Sequence, residues 1–195
     1  MLPLSFAVLF AALAIAVAED TLPPETSDSP CAAVTNLVPN GDFESSPDGA
    51  PWVFIDTGMT LLNDPALARS GSKAALSTII GFDQRNRITQ TFPTVRGKSY
   101  TFRFWWAINY GDPGVGNKGC YITTIVAGGL AYNDFPLVAA PLNTYAFHDY
   151  EFTAYADTTN LLTYIFCNQE VVSGLKVLLD DVGVYENLPG CPIPT

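Results

Sequence analysis

The sequence predicts an all-β protein, a two-sheet antiparallel β-sandwich of the jelly-roll type. Two observations lead there. Short runs of β-branched and aromatic residues recur along the chain, broken by Gly, Pro, Asn and Asp. No window carries a convincing 3.6-residue apolar period. Many short strands with turn signals between them are the mark of a sandwich or barrel rather than of an open α/β sheet. The composition agrees with a folded domain. Of 195 residues 48% are hydrophobic and 14% charged, against about 25% charged in an average soluble protein. A disordered chain would show the reverse balance.

The first element is a leader. Residues 2–18 are almost wholly apolar, carry no charged side chain and end Ala16-Val17-Ala18, with Glu19-Asp20 immediately after. Small residues in that pattern mark a signal-peptidase site, so residues 1–18 are read as a cleaved secretory signal. A membrane span is the alternative, but the run sits at the short limit for crossing a bilayer. The mature protein is then expected to be secreted and extracellular, in solution or at the cell wall, with no membrane attachment after cleavage. Residues 19–30, acidic, Pro-rich and free of aromatics, are expected to form a flexible lead-in. Residues 31–195 form one domain by length.

Strands are expected near 36–44, 52–62, 73–80, 87–95, 99–109, 120–128, 145–154, 160–167 and 175–186. The segment Pro65 to Arg69 could form one helical turn. The Gly-rich segment 111–119 is followed by strand-like Cys120-Tyr121-Ile122-Thr123-Thr124. A phosphate-binding loop needs a helix N-terminus there, so a hairpin loop is expected instead. The four cysteines, Cys31, Cys120, Cys167 and Cys191, suit two disulfides in a secreted chain. Three pairings are open. Cys31 and Cys191 flank the predicted domain, whose ends tend to meet, so the favoured pairing is Cys31–Cys191 with Cys120–Cys167.

Charge and motifs narrow the function. The net charge of −10 argues against a nucleic-acid partner, whose phosphates would be repelled. No Gly-x-Ser-x-Gly elbow and no His-Glu-x-x-His motif occurs, and the single His148 cannot build a multi-histidine zinc site. His148 lies opposite to Asp149 and Glu151 on a strand and is read as a partly buried structural residue. Asp149 and Glu151 would stand ~7 Å apart, a spacing that leaves a weak glycosidase open.

The strand 99–109 is the most informative. Phe102, Phe104, Trp106 and Ile108 make one apolar face, expected in the core. Arg103, Trp105, Ala107 and Asn109 make the other. An aromatic plane beside cationic and amide groups is what a sugar ring needs, and Tyr121 could extend the platform. Trp105, Arg103, Asn109 and Tyr121 are therefore the candidate carbohydrate-binding residues. On that reading Trp105→Ala should weaken retention on a polysaccharide without unfolding the domain. The alternative is that a loop covers Trp105 and Arg103 pairs with an acid. Two acidic clusters, Asn40-Gly41-Asp42-Phe43-Glu44 and Asp180-Asp181, would repel if buried, and a hard cation would relieve that repulsion.

Several motifs resemble CenC-type carbohydrate-binding modules. Asn36-Leu37-Val38-Pro39-Asn40-Gly41-Asp42-Phe43-Glu44 followed by Trp52 resembles their opening, and Ser70-Gly71-Ser72-Lys73-Ala74-Ala75-Leu76 a following strand. Ile88-Thr89-Gln90-Thr91 through Gly97-Lys98-Ser99-Tyr100-Thr101-Phe102-Arg103-Phe104 and Leu179-Asp180-Asp181-Val182 resemble two more. The likeness covers about residues 36–186, and the style of a small secreted single module is similar to fungal proteins of this type. It implies a galactose-binding-like jelly roll, a glycan or polysaccharide partner and no catalysis by the module itself. It also implies a structural calcium held by the Glu44 and Asp180 carboxylates with backbone carbonyls near Ser70, Gly71 and Lys73. A sandwich that kept this fold but serves as an interaction or structural protein is the competing expectation.

Overall fold

In the computed structural model, residue 31 and residues 34–114, 119–127, 131–168 and 174–194 are described. The expected signal peptide and lead-in lie outside these residues. Ten strands follow in order: β1 (Val53–Phe54), β2 (Met59–Asn63), β3 (Lys73–Ile79), β4 (Arg85–Pro93), β5 (Ser99–Tyr110), β6 (Cys120–Ala127), β7 (Ala131–Pro136), β8 (Ala146–Thr153), β9 (Thr158–Cys167) and β10 (Leu175–Glu186). They form two five-stranded sheets, β1-β4-β9-β6-β7 and β2-β3-β10-β5-β8, and every neighbouring pair is antiparallel. The predicted all-β sandwich is the observed architecture.

Period-2 alternation builds the core. From β5 come Phe102, Phe104, Trp106 and Ile108, all nearly inaccessible, as the alternation predicts. They meet Ile88 and Phe92 of β4, Ile122 and Val126 of β6, and Leu161 and Ile165 of β9, in one cluster that also takes Leu175, Val177 and Leu179 of β10. Burying these faces against each other is the main force joining the sheets. Two disulfides staple the result, Cys31–Cys191 and Cys120–Cys167, the pairing expected from the chain ends. The second ties β6 to β9 at a directly paired position.

Four details differ from the sequence reading. The segment 36–44 is a series of turns, because Asn40 and Phe43 take positive φ values of 51° and 62°. It still tracks β10: Asn36 Oδ1 accepts the Val184 amide and the Leu37 amide donates to the Val184 carbonyl. The predicted strand 52–62 is split into β1 and β2, in different sheets, by a turn in which Asp56 accepts from the Arg87 amide. Strand β7 was not expected. Its Asn133, Asp134 and Pro136 read as turn formers, yet an edge strand tolerates them. The stretch from β5 to β6 joins the two sheets and is not a hairpin; residues 115–118 of it lie outside the described residues.

Candidate functional site

The two outer faces of the sandwich differ. On the β2-β3-β10-β5-β8 sheet, Ala74, Ala107 and Leu178 form a second, small buried cluster. It is roofed by Leu62, Leu67, Leu76 and Tyr145, and the Tyr145 hydroxyl donates to the Leu67 carbonyl at 2.9 Å. This is the face on which the sequence placed the sugar platform. Trp105 carries the Arg69 guanidinium 3.6 Å from its ring centre and packs on Phe147 at 5.0 Å. Arg103 is buried and grips Asp149 through two bonds, of 2.6 and 2.7 Å, with a third bond to the Pro194 carbonyl. Asn109 donates to Asn143 at 2.9 Å. Each of these polar groups therefore has an internal partner.

Tyr121 lies elsewhere. It belongs to β6, in the opposite sheet from Trp105, Arg103 and Asn109, so the four residues do not share a surface. Alternation fixes side-chain direction within a strand, but it does not say which sheet a strand joins. His148 is the structural residue expected. Its ring lies 4.2 Å from Phe135 and 5.6 Å from Phe104, and Nε2 is 3.1 Å from Asn133 Oδ1. Burial holds its pKa below the usual value, against the pull of Asp149.

The outer face of the β1-β4-β9-β6-β7 sheet has another character. Register places its side chains in rows that cross the strands. One row runs Pro136, Tyr121, Phe166, Arg85 and the next Asp134, Thr123, Tyr164, Arg87. A third runs Tyr132, Ile125, Leu162, Thr89, Val53. Tyr121 and Phe166 stack with centroids 5.4 Å apart, and Tyr164 follows at 5.7 Å. All three rings are half-exposed, and Tyr132 is well exposed. Polar groups surround them. Asp134 accepts hydrogen bonds from the Thr123 and Tyr132 hydroxyls. Arg87 forms a fork on Asp56 at 2.8 and 2.9 Å, a pairing that holds the Asp56 carboxyl below its ordinary pKa against the effect of burial. Flat aromatics with carboxylate, hydroxyl and guanidinium groups beside them can stack on a sugar and bond its hydroxyls. Tyr164, Phe166, Arg85 and Asp134 were not singled out from sequence. The signal was the strand 160–167, where the inward Leu161, Thr163, Ile165 and Cys167 alternate with Leu162, Tyr164 and Phe166.

A third locality gathers carboxylates. The turn at residues 69–73 points its backbone amides at two acids. Glu44 Oε1 accepts from Ser72 N at 2.6 Å and Lys73 N at 2.5 Å. Asp180 Oδ2 accepts from Arg69 N at 2.8 Å and Ser70 N at 3.3 Å. Gly71 sits between, at φ 61°, and a Cβ there would fall 2.5 Å from Glu44 Oε1. Only glycine allows this approach. Burial pushes Asp180 up to about 7, helped by the charge of Asp181, while three backbone amides oppose the shift. Burial also acts on Glu44, but the Ser72 and Lys73 amides outweigh it and its pKa falls. Lys73 Nζ takes the Glu44 and Ser46 carbonyls at 3.2 and 2.8 Å. Arg69 and the Ser70 hydroxyl engage Asp181. Among the described residues, the buried Asp180 carboxylate accepts from the backbone N–H groups of Arg69, Ser70 and Asp181. The Glu44 and Asp180 carboxylate oxygens are ligands of the kind calcium takes. Among the described residues no three His, Cys, Asp or Glu side chains converge, so backbone carbonyls would have to complete the shell. Beside it, a polar hollow of about 380 Å³ is lined by Asn36, Asn40, Asp42 and Tyr185. Its two asparagines are spent on holding the 36–50 backbone.

No family model and no curated protein matches the chain. Solved structures do. A family 61 carbohydrate-binding module in complex with β-1,4-galactotriose aligns with a TM-score of 0.57 and 14% identity, over 78% of this chain and 99% of that one. A family 16 carbohydrate-binding module gives 0.51 and 18%, over 76% and 99%. The enzymatically active domain of tailspike protein 4 from bacteriophage CBA120 gives 0.53 and 15%, over 78% of this chain but 21% of that one. At such identities the likeness establishes the fold: the chain is a jelly-roll β-sandwich of the architecture that carbohydrate-binding modules use.

Proposed function

We propose that the protein is a secreted, non-catalytic glycan-binding module, and that glycan lies on the outer face of the β1-β4-β9-β6-β7 sheet. The observation that carries this reading is the half-exposed aromatic row of Tyr121, Phe166 and Tyr164, edged by Asp134 and Arg85. The fold shared with sugar-binding modules supports it, and so do two disulfides, which suit an oxidising compartment. The CenC-like motifs and the fungal single-module style belong to the same reading. Affinity electrophoresis through a panel of polysaccharides tests it. Retardation by at least one polymer, lost in Phe166→Ala with an unchanged melting temperature, supports the site. Retardation that survives Phe166→Ala and Tyr164→Ala moves it elsewhere.

A second reading keeps the fold without sugar. It is favoured by the Trp105 face, where Arg69 packs over the indole and Arg103 and Asn109 are taken up by Asp149 and Asn143. An empty polysaccharide panel with a cooperatively melting protein would support that interaction or structural role.

We also propose a structural calcium at the 69–73 turn, held by Glu44 and Asp180 with carbonyls near Ser70, Gly71 and Lys73. The ion would offset the charge of a buried carboxylate and tie the 36–45 segment to β10. Calcium should raise the melting temperature of chelator-treated protein, and Glu44→Gln should remove that rise. An equal melting temperature with and without calcium would refute it.

A further inference from the structure

Among the described residues, the aromatic face presents a cation without an acid, Arg85. Arg87 is neutralised by Asp56, and Arg69, Lys98 and Arg103 pair with Asp181, Glu186 and Asp149. The Lys73 ammonium is spent on two carbonyls. Arg85 is exposed, with no carboxylate within ion-pair distance among the described residues, and leans over the Tyr164 ring at 5.8 Å. Its place is fixed by register. It pairs with Phe166, which pairs with Tyr121, which pairs with Pro136. The guanidinium therefore ends an apolar row that crosses the strands. Strands lie ~4.8 Å apart, so Arg85 stands roughly 10 Å from Tyr121 along that row. A glycan stacked on Tyr121 and Phe166 would bring a substituent within reach of the guanidinium.

Guanidinium forks match carboxylates in shape and charge. A neutral sugar leaves that match unused. The net charge of −10 sets the opposite limit. A densely charged polyanion would be repelled by the whole molecule, while one isolated carboxylate would not. Of the acids this face presents among the described residues, Asp56 is taken up by Arg87 and Asp134 lies on β7, across β6 and β9 from β4. Asp134 accepts two hydroxyl protons, so that end suits uncharged sugar. Resting on the glycan-binding reading above, we infer that the ligand is a mostly neutral polysaccharide carrying isolated uronate residues, with the uronate carboxylate held by Arg85 and the neutral rings on Tyr121 and Phe166.

The test uses four polymers in affinity electrophoresis or titration calorimetry at low salt. They are glucuronate-substituted xylan, the same xylan after carboxyl reduction, polygalacturonate, and a neutral galactan. The full-length protein should bind the substituted xylan about tenfold more tightly than its reduced form, and polygalacturonate more weakly than either. A charge-assisted contact of this kind gives a factor of that order. Arg85→Gln should erase the difference between the two xylans, with the melting temperature unchanged. Phe166→Ala should weaken both xylans alike. Equal affinity for the two xylans overturns the uronate inference and leaves glycan binding standing, as does binding to the galactan alone. Tightest binding to polygalacturonate overturns the sparse-charge argument. Binding to none of the four, or to any wider panel, removes both readings together.

Discussion

Replacing Trp105 by alanine should unfold the protein more easily and leave its glycan binding intact. The indole is clamped from one side by Arg69 at 3.6 Å and from another by Phe147 at 5.0 Å. A partly desolvated cation–π contact contributes about 1 kcal/mol. The aromatic pair contributes about 1 more. Uncovering the half-buried ring surface costs a further ~1 kcal/mol at the usual transfer coefficient. The sum, about 3 kcal/mol, lowers the melting temperature of a domain this size by roughly 6–12 °C. Thermal unfolding followed by circular dichroism measures it, and affinity electrophoresis on a polymer that retains the wild type measures binding below the transition. An unchanged melting temperature combined with lost retention would refute the reasoning and restore Trp105 as a sugar platform.

Asp149→Asn should destabilise the fold by about 1–3 kcal/mol, because the buried Arg103 loses its counter-charge and one of the two acceptor oxygens of its fork. Glu151→Gln, on the same exposed side of β8, should change stability little. Denaturant titration distinguishes the two. The His148 contribution to stability should fall as pH drops below about 6.5, the ordinary histidine value, while Asp180, pushed up to about 7 in the folded chain, works the other way in the same range. His148 is buried with a lowered pKa, so the unfolded chain takes up its proton first and gains from acidification. In His148→Gln that step should be absent from a plot of melting temperature against pH.

The sandwich was legible because both of its faces are written in period 2. In β5 the inward residues Phe102, Phe104, Trp106 and Ile108 are where alternation puts them. The disulfides were legible because Cys31 and Cys191 bracket the domain and chain ends meet. The site was less so, for a physical reason. Alternation says that Trp105 and Arg103 point away from the core, but a covering segment is a tertiary fact. Here it is the 64–70 turn, far from β5 in sequence, whose Arg69 and Leu67 meet Trp105 and Tyr145. The same limit applied to Tyr121. Its sheet was unknown, since the consecutive strands β5 and β6 lie in opposite layers. The edge strand β7 escaped because it is short and carries residues that weaken strands. Without it the acid Asp134 had no place on a face.

The central claim is that glycan occupies the β1-β4-β9-β6-β7 sheet. Amide hydrogen exchange, or backbone chemical shifts, of the intact protein with and without a bound oligosaccharide tests it most directly. Perturbation concentrated in β4, β6 and β9, around Arg85, Tyr121, Tyr164 and Phe166, is the predicted result. Perturbation concentrated in β5, β8 and the 64–70 turn, around Trp105, would contradict it.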